Sequence, residues 1–237
     1  EIAAQVARAL DAAWSTMLPG AEGPLHLIHR DIKPGNIRIS KHGLVKLLDF
    51  GLVRPLVSVH GPELSGTNQI KGSPRYMCPE QAKGESPDSR GDLYSLGATA
   101  CYLLAGRPPF ELENALQLVI AHATQQPPSF ADIGVDASPA LEAIVVKCLQ
   151  KDPSERFQTP DEMLDALEAL PNARSWTWKA AEHWWQRMPK LPTLPDNVGI
   201  LSTPTMGDTT TERTLNDSPS TADSLDETVI EPASEMD

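Results

Sequence analysis

Four polar side chains near the start of the sequence have the types that phosphate chemistry requires. Asp31, Lys33 and Asn36 lie in the run His-Arg-Asp-Ile-Lys-Pro-Gly-Asn, and Asp49 follows thirteen residues after Asn36. A carboxylate such as Asp31 can accept the proton of a hydroxyl group, and a lysine ammonium can face a transferring phosphoryl group as a point charge. The oxygens of Asn36 and Asp49 are hard ligands of the kind that Mg²⁺ prefers. Because phosphoryl transfer needs little beyond positioning and charge compensation, the stretch predicts a phosphoryl-transfer site.

Two short apolar runs lie between these polar residues and predict a β-hairpin. The runs are Ile37–Ile39 and Leu44–Leu48, and Lys-His-Gly joins them. Asn36 comes directly before the first run and Asp49 directly after the second. The loops that flank the hairpin can therefore converge on one point.

The rest of the body is predicted to be mainly helical. Residues 1–17 carry apolar side chains at three-and-four spacing, which predicts an amphipathic helix. Asp92–Ala105 is apolar on nearly every face, which is typical of a helix in the middle of a core. Two later helices begin at caps, one at Ser138 before a proline and one at Thr159, which opens a capping box. Residues 51–75 read as a long polar loop, and loops of that length are usually functional or mobile.

Composition excludes several classes of protein. The chain has 237 residues, of which 40% are hydrophobic, so it can bury a core and is not disordered throughout. Its three cysteines form no C-x-x-C motif, which excludes a disulfide framework or a cysteine zinc site and favours a reducing, cytoplasmic setting. No apolar run approaches the roughly 20 residues of a membrane span, and no signal peptide is evident. An isoelectric point near 4.9 argues against nucleic acid as the main partner.

The formal net charge of −12 is concentrated in residues 191–237. This stretch holds ten acids, one base and 14 serines and threonines, but no aromatic residue. It cannot bury enough apolar surface to offset its ordering entropy, which predicts a disordered acidic tail. Its hydroxyls, set among acids, are either phosphorylated and bound by phospho-dependent partners or simply part of a solubilising tail.

Ahead of the tail, the body is predicted to span residues 1–172, and a connector that contains four of the five tryptophans spans residues 173–190. The tryptophans of this connector do not form one helical stripe. The connector is interpreted either as a capping segment packed on the body or as a segment on a membrane surface.

Six blocks of the sequence resemble, in the same order, blocks of the C-terminal lobe of a eukaryotic-like, bacterial-type Ser/Thr protein kinase. The first three are the catalytic loop (29–36), the Asp-Phe-Gly motif (49–51) and the end of the activation segment (72–80). The other three are the start of the central helix (92–97), the stretch after that helix (106–110) and the link between the last two helices (151–157). The resemblance implies an α+β, protein-kinase-like fold, mainly helical, with a small β-hairpin beside the catalytic loop.

The same resemblance assigns roles in catalysis. Asp31 would be the catalytic base, Lys33 would contact the γ-phosphate of ATP, and Asn36 and Asp49 would hold Mg²⁺. Arg38 stands where the family commonly has an apolar residue under the adenine ring, so its guanidinium either stacks on the base or marks a degenerate nucleotide pocket. The implied reaction is transfer from ATP to Ser/Thr hydroxyls of proteins, including the activation loop of the kinase itself.

The resemblance also implies structural roles for three charged residues. Asp92 would anchor the backbone of the catalytic loop. Glu80 would pair with Arg156 in the interior, and removing one partner of such a buried pair typically costs about 3–5 kcal/mol.

Four residues would have regulatory roles. Arg30 precedes the catalytic aspartate, which in this family suggests control by phosphorylation of the activation loop. A phosphate on Ser65 or Thr67 would give Arg30 a charge-assisted partner. Ser73 would bond Asp31 and Lys33 in the active state.

The motifs of the family's N-terminal lobe are absent from the sequence. It contains no G-x-G-x-x-G loop and no lysine strand like V-A-I-K, and it begins without methionine. We expect a fragment of a longer kinase that lacks the ATP-clamping N-lobe and is inactive in isolation. The alternative is a non-catalytic, kinase-like scaffold or docking module.

Overall fold

A computed structural model describes residues 1–49, the backbone of 54–55, and residues 73–171, 173 and 175–188. The chain divides into a unit of Glu1–Pro189 and a unit of Lys190–Asp237. The predicted acidic tail lies outside the described residues.

The described residues form seven α-helices and four short strands. The helices are α1 (Ile2–Trp14), α2 (Pro79–Ala82), α3 (Ser89–Ala105), α4 (Ala115–Thr124), α5 (Pro139–Cys148), α6 (Pro160–Glu168) and α7 (Trp178–Arg187). The strands are β1 (Leu27–Ile28), β2 (Ile37–Ile39), β3 (Val45–Leu47) and β4 (Arg54–Pro55). Strands β2 and β3 form the predicted antiparallel hairpin, and β1 pairs with β4 in a second antiparallel sheet. The mainly helical α+β architecture is therefore confirmed.

Helix α3 is the centre of the core, as its apolar composition predicts. One face packs with α1, α5 and α6 in a cluster that includes Leu93 and Leu96, and the opposite face packs in a second cluster that includes Tyr94 and Ala98. Gly97 allows the close approach of α5, because a Cβ at this position would lie 2.6 Å from the Cβ of Cys148. The Asp88 side chain caps the start of α3, and Gly106 ends it in the left-handed conformation.

Helix α1 is shorter than predicted, and helices α2, α4 and α7 were not predicted. Helix α1 ends at Trp14 rather than Met17: Ser15 is its C-cap, and the Thr16 N–H bonds the Ala13 carbonyl, three residues back, instead of continuing the helical pattern. Helix α4 was not predicted. It is apolar without a clear three-and-four period, and its N-terminus is marked only by Asn114, whose side chain accepts from the Leu116 amide at 2.7 Å.

The connector packs on the hairpin. The indole nitrogen of Trp176 donates to the Gly43 carbonyl at 3.1 Å, and that of Trp185 donates to the Ser40 carbonyl at 2.9 Å. Gly43 has φ 81°, and a Cβ there would lie 2.7 Å from the Cβ of Ala181. These contacts are those of a capping segment. No helix in the described part of the chain is long and apolar enough to cross a membrane.

A buried ion pair joins distant parts of the fold. The guanidinium of Arg156 donates to both carboxylate oxygens of Glu80, at 2.8 and 2.9 Å, and its side chain is fully shielded from solvent. Its remaining donors reach the backbone carbonyls of Gln150, Lys151 and Arg90. Because every donor has an acceptor, the pair links α2, the start of α3 and the loop before α6 without an unpaired buried charge.

Replacing Arg156 with methionine should therefore lower the free energy of unfolding by about 3–5 kcal/mol, because Glu80 is left buried and unpaired. Chemical denaturation of the chain measures this change. The double variant Arg156→Met/Glu80→Leu should recover part of the loss.

The exposed pair Arg107–Glu111 provides the matched control. Arg107→Met should change the stability by less than about 1 kcal/mol. Equal effects of the two arginine variants would contradict the structural role of Arg156.

Candidate active site

The backbone of the loop that carries Asp31 is hydrogen-bonded to a buried carboxylate of the central helix, α3. Asp92, in the first turn of α3, accepts the backbone N–H of His29 at 2.7 Å on one oxygen and that of Arg30 at 2.7 Å on the other. Burial raises the pKa of Asp92 to about 7, and the two N–H donors oppose that rise because they favour the ionised form. The bonds hold Arg30 at φ 67°, a left-handed backbone that a non-glycine residue rarely adopts.

The imidazole of His29 connects this loop to the hairpin. Its Nδ1 accepts the Asp31 N–H at 3.3 Å, so that Nε2 carries the ring proton and donates to the Leu48 carbonyl at 2.9 Å. The ring is buried, and this desolvation lowers the pKa of His29 below 6.5. A neutral ring can make both bonds, whereas a protonated ring could not accept from Asp31.

The side chains of the catalytic loop converge on the Asp31 carboxylate. Lys33 Nζ donates to Asp31 Oδ2 at 2.6 Å and to the Ser73 hydroxyl oxygen at 3.0 Å. Asn36 Nδ2 donates to the same carboxylate oxygen at 3.1 Å and to the Asp31 backbone carbonyl at 2.8 Å. Asn36 is buried, while the Asp31 side chain keeps 13% of its surface exposed. The carboxylate is thus oriented by its neighbours and stays partly exposed.

The hairpin brings Asp49 to the same end of the fold as Asn36. The Leu48 N–H donates to the Asn36 carbonyl at 2.8 Å, directly before Asp49. Asp49 is exposed and has φ 61°, so the chain turns sharply as it leaves the hairpin.

The side chains at this end of the fold do not supply a full set of metal ligands by themselves. Among the residues that the structure describes, no three His, Cys, Asp or Glu side chains are grouped to hold a metal. Asn36 and Asp49 alone are a set that Mg²⁺ completes with water and phosphate oxygens.

The hydrogen bonds of the Arg38 side chain go to backbone carbonyls and not to the Asp31 cluster. Its guanidinium donates to the carbonyls of Gly35 at 2.7 Å and Ile37 at 3.2 Å, and the side chain is exposed. Whether it contacts an adenine ring stays a prediction. Ser65 and Thr67 lie outside the described residues, so the predicted phosphosites also stay predictions.

Sequence reasoning missed Gln81. Its Nε2 donates to the Arg30 carbonyl at 3.1 Å, across 51 residues of sequence. A single glutamine next to Glu80 has no spacing pattern that marks such a bond, and only the tertiary structure reveals it.

Comparison with known proteins agrees with this geometry. Residues 1–167 match the family model described as protein kinase domain. The serine/threonine-protein kinase PknB of Mycolicibacterium smegmatis is 41% identical over 137 residues, which cover 58% of this chain and 22% of the relative. PksC of Streptomyces coelicolor, a serine/threonine-protein kinase, is 40% identical over 139 residues, or 59% of this chain and 25% of the relative.

A longer match is found in Corynebacterium efficiens. Its probable serine/threonine-protein kinase CE0033 is 35% identical over 185 residues, or 75% of this chain and 27% of the relative. The chain thus spans about a quarter of the length of these curated relatives.

The neutral state of His29 predicts how the site responds to acid. Its pKa lies below 6.5 in the folded chain and near 6.5 in the unfolded chain. Its contribution to stability is therefore complete above pH 6.5 and is lost as the pH falls through the folded pKa. NMR titration of the ring nitrogens should show Nε2–H with Nδ1 unprotonated at pH 6.5, and a midpoint below that pH.

The control separates His29 from other groups that titrate. In His29→Gln, whose amide can still donate to Leu48, the free energy of unfolding should fall less between pH 6.5 and 5. His42→Gln, at an exposed turn, should show the same fall as the unmodified chain. A His29 midpoint at or above 6.5 would contradict the assignment.

Proposed function

The chain belongs to the protein kinase domain family, and we propose on this basis that the whole protein transfers the γ-phosphate of ATP to serine and threonine hydroxyls of proteins. The observation that carries the proposal is the Asp31 carboxylate bonded by both Lys33 and Asn36. These two bonds orient the carboxylate, and 13% of the Asp31 side-chain surface stays exposed.

On this proposal, Asp31, Lys33 and Ser73 have separate roles around the substrate hydroxyl. Asp31 orients the hydroxyl and accepts its proton, because its carboxylate is the accessible base of the cluster. Lys33 lies beside it and offers a positive charge to a phosphoryl oxygen. Ser73 accepts from the same ammonium, and so ties the end of the activation segment to the loop that does chemistry.

Asn36 and Asp49 fit a magnesium ion on chemical grounds. The Nδ2 group of Asn36 faces Asp31, which leaves its Oδ1 as the atom available to a cation. Asp49 adds an exposed carboxylate at the same end of the hairpin. When bound with ATP, Mg²⁺ would neutralise charge on the phosphates and align them with the hydroxyl that Asp31 holds.

We further propose that the whole protein contains the lobe that clamps ATP. The chain spans about a quarter of its relatives, and its sequence has neither a glycine-rich loop nor a lysine strand for the phosphates. On this proposal the chain alone does not transfer phosphate. Phosphorylation of its own activation loop, binding of phospho-dependent partners by the tail, and a cytoplasmic location remain predictions of the same kind.

Asp31→Asn in the whole protein should reduce phosphoryl transfer by roughly 10²–10⁴-fold, because the amide cannot accept the hydroxyl proton. Transfer of labelled phosphate from Mg-ATP to a generic protein substrate measures this loss. Asp136→Asn, at an exposed position outside the site, is the matched control and should keep full activity.

Two results would overturn the proposal. Unchanged transfer by the Asp31 variant would remove its role as base. No transfer by the unmodified whole protein would favour the alternative, a non-catalytic kinase-like scaffold.

A further inference from the structure

The peptide bond that enters Asp31 is held on both of its edges. On one edge, the Asp31 N–H donates to His29 Nδ1 at 3.3 Å. On the other edge, the carbonyl of the same peptide, which belongs to Arg30, accepts from Gln81 Nε2 at 3.1 Å. A peptide unit is planar, so these two bonds fix its rotation and hence the direction in which the Asp31 side chain leaves the backbone.

The Gln81 amide has only one orientation that satisfies its surroundings. Its Oε1 accepts from the Cys78 thiol at 3.1 Å and from the Cys78 N–H at 3.5 Å, within the first turn of α2. A flipped amide would place its oxygen against the Arg30 carbonyl oxygen, and two acceptors cannot bond each other. Gln81 therefore delivers its donor to Arg30 whenever α2 has the position seen here.

The backbone at Arg30 needs such support. Its φ of 67° lies in the left-handed region, which is strained for a residue with a side chain. The N–H of Arg30 is fixed by Asp92, whereas its carbonyl is fixed by Gln81. The distance of 3.1 Å between Gln81 Nε2 and the Arg30 carbonyl oxygen leaves no room for a water between them, so the contact is direct.

We propose that Gln81 is a positioning residue for Asp31. It acts through the Arg30 carbonyl and makes the alignment of the Asp31 carboxylate depend on the folding of residues 73–82 against the catalytic loop. Glu80, its neighbour, anchors the same helix to the core through Arg156, and Gln81 transmits that anchored position to the loop. The inference rests on the proposed function, since alignment of Asp31 matters only if it handles a hydroxyl.

A purely structural role for Gln81 is the competing explanation, because the same amide helps to cap α2. The two roles differ in kinetics. Loss of a cap lowers stability without a specific effect on turnover. Misalignment of the base lowers kcat and leaves substrate binding intact, and a small displacement of a reacting group can reduce turnover about 100-fold.

The test compares Gln81→Met with Gln125→Met in the whole protein. Methionine has nearly the length of glutamine but no donor, and Gln125 is an exposed residue at the end of α4. We expect Gln81→Met to lower kcat by about 10- to 100-fold with KM for ATP and protein substrate within about twofold of the unmodified value. Gln125→Met should leave kcat and KM unchanged. An unchanged kcat, or a loss confined to KM, would overturn the proposal.

A second measurement on the 237-residue chain does not depend on activity. The ¹³C shift of the Arg30 carbonyl and the ¹⁵N shift of the Asp31 amide report the two edges of the peptide. Both should move in Gln81→Met and neither in Gln125→Met. Unmoved shifts would refute the contact itself, whereas moved shifts in a protein that transfers no phosphate would refute the proposed function and leave the contact standing.

Discussion

The site depends on one buried carboxylate that holds two backbone amides. Asp92 has lost almost all contact with water, and its two oxygens are occupied by the N–H groups of His29 and Arg30. A carboxylate is placed in a low-dielectric core at considerable cost unless such donors surround it. Because α3 is packed on both faces, a helix of the core fixes the loop that carries Asp31.

The contacts that spread from this anchor connect three segments that are distant in sequence. His29 bonds the Leu48 carbonyl at the end of the hairpin, and this bond fixes the backbone next to Asp49. The Arg30 carbonyl accepts from Gln81 of α2, and Lys33 donates to the Ser73 hydroxyl. Each link is a hydrogen bond between segments distant in sequence, so the polar cluster depends on how the chain folds around the core.

The sequence was informative where the signal is local. The short apolar runs predicted the hairpin and the continuous apolar helix predicted its place in the core, because strand and helix periods are properties of neighbouring residues. The cluster of Asp31, Lys33 and Asn36 could be anticipated from its spacing. Helix α4 was missed because its apolar residues lack a clear period. The left-handed backbone at Arg30 and the reach of Gln81 were missed because tertiary contacts, not local propensity, impose them.

Amide hydrogen exchange at His29 and Arg30 tests most directly whether Asp92 organises the site. In the unmodified chain both amides should exchange slowly, and in Asp92→Asn at least one should exchange faster by about tenfold or more, since asparagine has one acceptor oxygen where the carboxylate has two, and its NH2 group faces the second N–H. The amide of Leu149, bonded to the Val145 carbonyl at 3.1 Å, serves as the reference for global unfolding. Equal protection of His29 and Arg30 in both proteins, with the reference unchanged, would contradict the account.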